Sequence, residues 1–569
     1  MAAEPPFLVK GEGSASPFPV REGARVTPLV ESAQMYPTLE HAILKSERFV
    51  WLAFRVLAPD MKLRSDKVRA QGLKTWRDLL IETVKRGVEV RILLSDFEPV
   101  MADYLHAGSW RSFRSMEIAL DELPDEVRRR FQMIITPHEG EMGWGWRQIF
   151  RLGLLRRVHG VIDRLLGTDD GEEDHFSTRP GIWRWTRWEG ERPAGWRKGP
   201  PPRIWPATHH QKCAIVDGER IVVGGLDLDE RRFDDSHHNR PADQTWHDIS
   251  SLIEGEIALD ACAHFMALWN SELPRYRVIL DEWTEGAALK VLAGPLDPLE
   301  MPDIAHSICD GAASVQLVRT VSRKSGSLLA IGPRPHIREL MQAHRKLIAG
   351  ARKRLYIEAQ FFRSRAASKW IVAALRDNPQ LEVVILIANV PEEIAFQGQG
   401  GKAAHKHGEH LQARALGRIF RAGGKDRVGL FTLVKNEPTK GGDKAYEDSR
   451  GTAYGSGIIH IHAKLLIADD EACLLSSANI NGRSFFWDTE LGFLWRQPGN
   501  AIRDFRRRIW SQLFEGALPE DGGLAEWRQL SEQNRLADPE DRKGFVVPYQ
   551  RGRARRFGNP YIWIPDNMV

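Results

Sequence analysis

His210-Gln211-Lys212-Cys213-Ala214-Ile215-Val216-Asp217 and His462-Ala463-Lys464-Leu465-Leu466-Ile467-Ala468-Asp469 both read H-x-K-x-x-x-x-D. They stand 462 − 210 = 252 residues apart, close to half of the 569-residue chain. The four apolar residues after each lysine suit a short buried strand, and a second apolar run follows each copy, over 220–225 and 472–477. The order upstream is also repeated. In the first half a strand at 49–54 leads to a helix over 75–86, stopped by Gly87, and a strand at 88–94. In the second half a strand at 354–358 leads to a helix over 369–376 and a strand at 381–387. Strand, helix, strand predicts a parallel α/β sheet, made twice by internal duplication; a period this long excludes a solenoid.

Alternation along an extended chain puts the histidine and lysine of each triplet on one face and the middle residue on the other. Two such segments related by pseudo-twofold symmetry gather two imidazoles and two ammonium groups around one point. Lys212 and Lys464 would stabilise the negative charge that builds on a phosphodiester in its transition state. One imidazole can attack phosphorus while the other protonates the leaving oxygen and later deprotonates water or an alcohol. This chemistry calls for no metal and no cofactor. Each imidazole needs a carboxylate to orient it, and Asp248, Asp488 and Glu490 are the candidates. Asp217 and Asp469 complete the motif set and end their runs, where they suit fixing backbone geometry better than touching substrate.

Between the first strands and the first motif, residues 100–205 read as an insertion. Phe150, Leu154, Val158, Val161 and Leu165 form one stripe of a helix over 147–166, with Arg147, Arg151, Arg157 and Arg164 largely elsewhere. Trp183, Trp185, Trp188, Trp196 and Trp205 follow among arginines. A basic amphipathic helix followed by tryptophans matches either a membrane-facing surface or ordinary core packing. Residues 1–25 read as a flexible lead-in, and 425–455, rich in Gly, Lys and Asp, as a mobile loop before the second motif. Residues 551–556 are a short basic cluster with a solvated reading.

The composition is that of a water-soluble globular chain, with 42% hydrophobic and 27% charged residues. The net charge of +4 gives no global support for nucleic-acid binding. No apolar run reaches the ~18 residues of a membrane span. The opening residues lack the basic and apolar regions of a signal peptide, so a cytoplasmic or peripheral-membrane location is expected, with signal-independent export left open. The four cysteines form no C-x-x-C pair and read as small buried hydrophobes rather than zinc ligands or disulfides.

These residues resemble the phospholipase D superfamily. Gly224-Gly225-Leu226-Asp227, Arg232-Phe233-Asp234 and Trp246-His247-Asp248 resemble the first half of its phosphatidylcholine-hydrolysing branch. Tyr356-Ile357-Glu358-Ala359-Gln360-Phe361-Phe362 resembles that branch's I-E-N-Q-[FY]-F box, with Ala359 in place of asparagine. Ser477-Ala478-Asn479, Arg483-Ser484 and Asp488-Thr489-Glu490 resemble its second half, with Ser476 in place of a glycine. The resemblance implies a pseudo-twofold bilobal α/β fold, two mixed or parallel sheets flanked by helices with one active site at the lobe interface. The expected division is a first lobe over 26–290, a second over 291–535 and a tail over 536–569. It further implies His210 as nucleophile, His462 as acid/base, and Asp227 and Asn479 flanking the phosphate pocket. Calcium-binding and other lipid-binding modules are not evident. The expected activity is hydrolysis of a glycerophospholipid such as phosphatidylcholine to phosphatidic acid, with transfer to alcohols possible. The expected enzyme is a monomer acting at a phospholipid membrane surface and binding no nucleic acid; the alternatives are a phosphatidyltransferase such as a cardiolipin synthase, or a nuclease of the same superfamily.

Overall fold

The computed structural model describes residues 6–9, 16–168, 172–190, 192–284, 296–304, 309–396, 402–439 and 450–569. The first half supplies β1 (Arg21–Val30), β2 (Phe49–Phe54), β3 (Glu89–Ser95), β4 (Phe131–Thr136), β5 (Thr186–Glu189), β6 (Arg192–Trp196), β7 (Cys213–Val216), β8 (Arg220–Gly224), β9 (Trp246–His247) and β10 (Ile249–Glu254). The second half supplies β11 (Ala313–Arg323), β12 (Arg334–Arg338), β13 (Arg354–Ala359), β14 (Glu382–Ile387), β15 (Val428–Pro438), β16 (Thr452–Ala453), β17 (Ser456–Ile461), β18 (Leu465–Ala468), β19 (Ala472–Ser476), β20 (Glu490–Arg496) and β21 (Val546–Pro548).

The pairings give the two halves the same plan. In the first, β4, β3 and β2 run parallel, then β7, β8, β10 and β1 follow antiparallel. In the second, β15, β14 and β13 run parallel, then β18, β19, β20 and β11 follow antiparallel. Helices flank this large mixed sheet, so the fold is mixed α/β as expected. The strands flanking each motif are buried along their whole length, which is why they read as continuous apolar runs.

Local signals set the element ends. Thr75 accepts from the Asp78 amide at 3.2 Å and Asp78 accepts from the Thr75 amide at 2.9 Å, a reciprocal cap that starts the helix Trp76–Lys85. Ser364 caps the matching helix Arg365–Asp377. Strand β1 joins the two halves into one continuous sheet, where two separate sheets were expected: residues 25–30 pair with β10, while Arg21 and Ala24 pair with β11 across a bulge. Gly23 stands in that bulge at φ 72°, a value few other residues tolerate.

Several sequence-based expectations need correction. The 100–205 insertion is not all insertion, because β4 within it is the third parallel strand of the first sheet. The 147–166 helix is two helices, Trp144–Ile149 and Arg151–Leu166, broken at Phe150. Most of its apolar stripe is buried. Val158, Val161 and Leu165 pack with Phe176, Ile182, Trp183 and Trp185 in a small core of their own. That stripe is satisfied by burial, although Phe150 at its start stays exposed. Of the lead-in, 1–5 and 10–15 lie outside the described residues, but Phe7 and Leu8 pack on the second core and β1 already begins at Arg21. Of the expected loop, 440–449 lie outside the described residues. Residues 428–438 are β15, whose apolar run Val428–Val434 was masked by glycines and charges on either side. The tail is not separate, since β21 pairs with β15.

Candidate active site

The two H-x-K triplets lie between strands rather than on them. Residues 209–212 precede β7, and His462-Ala463-Lys464 connects β17 to β18. The backbones of their histidines pair with the opposite lobe. The His210 amide donates to Thr489 O at 2.8 Å, and the His462 amide to His247 O at 2.8 Å. Alternation survives in this extended stretch: Gln211 turns away from its neighbours and accepts from His264 Nε2 at 2.7 Å.

Each lobe orients the other's histidine. His210 Nδ1 pairs with Glu490 Oε2 at 3.0 Å, and His462 Nδ1 with Asp248 Oδ2 at 2.6 Å. Thus Asp248 and Glu490 are the orienting carboxylates, in equivalent positions at the start of β10 and β20. Asp488 takes neither role: it accepts from the Thr208 amide at 2.9 Å and pairs with Arg483. Ser477 Oγ, missed as a functional group although its segment stood out in the sequence, donates to Glu490 Oε2 at 2.5 Å. Both histidines line a cavity of about 1200 Å³, together with Asn479, Arg483, Gln360 and Arg363. Among the described residues no hydrogen bond engages Nε2 of either histidine.

Lys212 donates to its own motif's His210 O at 2.7 Å, and Lys464 donates to His462 O. Asp227 lies behind Lys212, 3.7 Å from Nζ, while its Oδ1 accepts from the amides of Arg55 and Val56. It steadies the lysine; neither it nor Lys212 or Lys464 is among the residues lining the cavity. Asn479, its counterpart, does line the cavity and has a buried Oδ1 with no hydrogen-bond partner. Asp217 and Asp469 lie elsewhere. Asp217 accepts from the amides of Glu47, Arg48 and Phe49, and Asp469 from those of Arg352, Lys353 and Arg354. Both have φ 56°, and both hold the turn before a parallel strand in place. They hold backbone in place, away from the cavity that the two histidines line.

Burial sets the charges. It holds His210 well below the usual imidazole range, reinforced by Lys212, and does the same to His462 with Lys464. Burial raises Asp248 to about 6 against the pull of Lys464, and raises Glu490 to about 8 with help from Asp488. Burial lowers Lys464 to about 7, opposed by Asp248. Lys212 is also lowered by burial, opposed by Asp227 and Glu490. Neutral histidines are what an attacking imidazole requires. An arriving phosphodiester anion would favour the charged form of Lys464 and of one imidazole.

A buried chain of ionisable groups backs Asp248. His247 Nδ1 pairs with Glu31 Oε1 at 2.5 Å, and Nε2 with Glu358 Oε2 at 2.8 Å, which ties the two lobes. Burial alone would lower His247, but the two carboxylates outweigh it and raise it well above the usual range. Glu31 adopts φ 65° and clasps Asp248 twice, its amide donating to Asp248 O at 2.9 Å and its Oε2 accepting from the Asp248 amide at 3.2 Å. Nothing in the sequence marked Glu31; His247 and Glu358 stood in quoted motifs without a role.

The free cysteines are Cys213, Cys262 and Cys473, all buried, and the partly buried Cys309. No helix among the described residues is long and apolar enough to cross a membrane.

No protein-family model matches the chain. Curated relatives do. The chain is 25% identical over 396 residues to phospholipase D alpha 3 of Arabidopsis thaliana, covering 54% of this chain and 47% of that protein. It is 28% identical over 256 residues to phospholipase D1 of Homo sapiens, covering 42% and 22%. The chain therefore spans about half the length of the plant relatives it matches. Among solved structures, a phosphatidylserine synthase of Haemophilus influenzae aligns over 88% of both chains, with 13% identity and a TM-score of 0.48. The relatives bear out the resemblance to the phospholipase D superfamily.

Proposed function

We propose that the chain is a phospholipase D that hydrolyses glycerophospholipids of the phosphatidylcholine kind at a membrane surface, through a phosphohistidine. The observation that carries the reading is the reciprocal pairing across the lobes, which presents two unengaged Nε2 atoms to one cavity. The names of the curated relatives support the phospholipid as substrate.

His210 Nε2 attacks phosphorus. The bond from phosphorus to the head-group oxygen breaks, and His462 as imidazolium delivers its proton to that oxygen. Water then enters, and His462 takes its proton as the new phosphorus–oxygen bond forms. The phosphorus–nitrogen bond breaks, releasing phosphatidic acid and free His210. An alcohol in place of water gives transphosphatidylation. Lys212 and Lys464, buried just behind the two histidines, supply positive charge toward the equatorial oxygens throughout. The carboxylates support this division of labour. Asp248, raised only to about 6, is ionised at neutral pH and suits an imidazole that must become charged. Glu490, raised to about 8, favours a neutral partner, as a nucleophile must be.

Mixed vesicles of phosphatidylcholine assayed for free choline and phosphatidic acid test the activity. Release is expected from the parent chain and none from His210→Ala or His462→Ala. Failure of the parent to release any head group from common phospholipids would overturn the assignment.

A further inference from the structure

Two segments far apart in sequence expose large apolar side chains side by side. Trp144 (56% exposed), Ile149 (65%), Phe150 (49%) and Leu152 (72%) surround the helix break, and Leu328 (66%) and Leu329 (63%) come from the β11–β12 connection. Hydrogen bonds join the segments: the Gly143 amide to Ala330 O at 2.7 Å, the Gly145 amide to Leu328 O at 2.8 Å, and Trp146 Nε1 to Leu329 O at 2.8 Å. The approach is close enough that a Cβ on Gly143 would lie 2.4 Å from Leu328 O. The patch is thus built by tertiary contacts, and contiguous apolar surface of this kind marks a binding face.

Its chemistry indicates the partner. Exposed Arg151, Arg156 and Arg323 flank it in sequence, and none pairs with a carboxylate among the described residues. Leu152 and Arg156, four residues apart, share one helix face. Aliphatic and indole groups beside unpaired arginines suit the boundary between acyl chains and anionic phosphates. The patch is also connected to the active site. Leu152 opens the helix whose later residues Val161 and Arg164 line the cavity. The separation, 161 − 152 = 9 residues, is about 14 Å along the axis. On the other side, Gly332 packs on the Trp487 ring, next to Asp488 in the cavity wall.

We propose that these six side chains insert among the head groups of an anionic phospholipid bilayer, with the three arginines on lipid phosphates, so that the cavity mouth is held at the lipid surface. The proposal rests on the reading of the site as one for phospholipids and adds the face that docks.

The experiment compares the parent chain with Ile149→Ser/Phe150→Ser/Leu152→Ser and, separately, with Leu328→Ser/Leu329→Ser. Co-flotation is measured with vesicles of phosphatidylcholine alone and of phosphatidylcholine with phosphatidylglycerol in equal parts. Hydrolysis is measured on vesicles and on a short-chain phosphatidylcholine below its micelle concentration. The parent is expected to float with both vesicle types, more strongly with the anionic one. Each variant should lose at least tenfold in flotation and in vesicle hydrolysis, while retaining the parent's rate on dispersed substrate and its melting temperature. A parent that floats with neither vesicle, or variants that float as well as the parent, would overturn the docking face. Flotation needs no turnover, so absence of hydrolysis alone counts against the proposed activity and leaves the docking result readable.

Discussion

Asp248→Asn should separate the two chemical steps. Asp248 Oδ1 accepts from the Ile249 amide at 2.7 Å, and Oδ2 pairs with His462 Nδ1 at 2.6 Å. In the asparagine variant the amide oxygen stays on Ile249 N–H, since only an oxygen can accept there. The amide NH2 then faces Nδ1 and forces that nitrogen to be the acceptor, leaving the proton on Nε2. Such an imidazole cannot receive the proton of an attacking water. The lost charge matters as well. With charge centres about 4 Å apart and an effective permittivity of about 20, the attraction is roughly 4 kcal/mol. A neutral hydrogen bond returns about 1 kcal/mol of this. The net of about 3 kcal/mol is worth roughly two decades of rate, before the tautomer penalty on the second step. A phosphodiester with a p-nitrophenol leaving group needs little help from an acid. Stopped-flow absorbance should therefore show a burst of nitrophenol stoichiometric with Asp248→Asn enzyme, then near-arrest, with phosphate label trapped on His210. Steady turnover within tenfold of the parent would refute the reasoning. A burst in His210→Ala but not in His462→Ala would reverse the two roles.

Three further outcomes are expected. Asp217→Ala leaves the amides of Glu47, Arg48 and Phe49 without their acceptor; it should cost about 2–4 kcal/mol in urea unfolding while the folded fraction keeps a near-parental kcat. His247→Gln removes the cation between the buried Glu31 and Glu358 and should cost about 3–5 kcal/mol by the same measurement, with a parental stability refuting the clamp. Burial lowers His138 and His264 to about 3 and His344 and His460 to about 4, from an unfolded value near 6.5. The unfolded chain thus binds protons that the folded one refuses, so the stability these groups confer is complete above pH ~6.5 and is lost as pH falls toward their folded values. Each contributes up to about 1.4 kcal/mol per pH unit in that window, against the opposite contribution of the buried carboxyls Glu40, Glu98, Glu339, Glu409 and Glu490, raised to about 7 or 8. The check is therefore a comparison: calorimetry should show the melting temperature of His344→Gln falling less than that of the parent chain as pH drops below ~6.5.

The parts of the fold that were legible in the sequence are those made by local patterns. The apolar runs of β2, β3, β7 and β18, the Gly87 helix stop and the duplicated motif all carry their signal within a few residues. β4 was missed because Phe131–Thr136 sits within a long insertion-like stretch, and its role depends on pairing with β3, forty residues upstream. Within the site, the histidines and lysines could be read because they recur. The choice among Asp248, Asp488 and Glu490 could not, because it is decided by which lobe each faces. The helix stripe of Leu154, Val158, Val161 and Leu165 suited a membrane face or a core equally well by periodicity, and only the partners from 176–185 decide between them.

The crossed pairing of His210 with Glu490 and of His462 with Asp248 bears on ancestry and on splitting the chain. Neither half owns a complete catalytic dyad, so an isolated lobe holds an imidazole with no carboxylate to aim it. The wiring is that of an isologous pair, in which each copy completes the other's site. A half-length precursor would have needed a second copy of itself before it could turn over a single substrate. Two separately expressed halves should be silent alone, with activity returning only in proportion to their association.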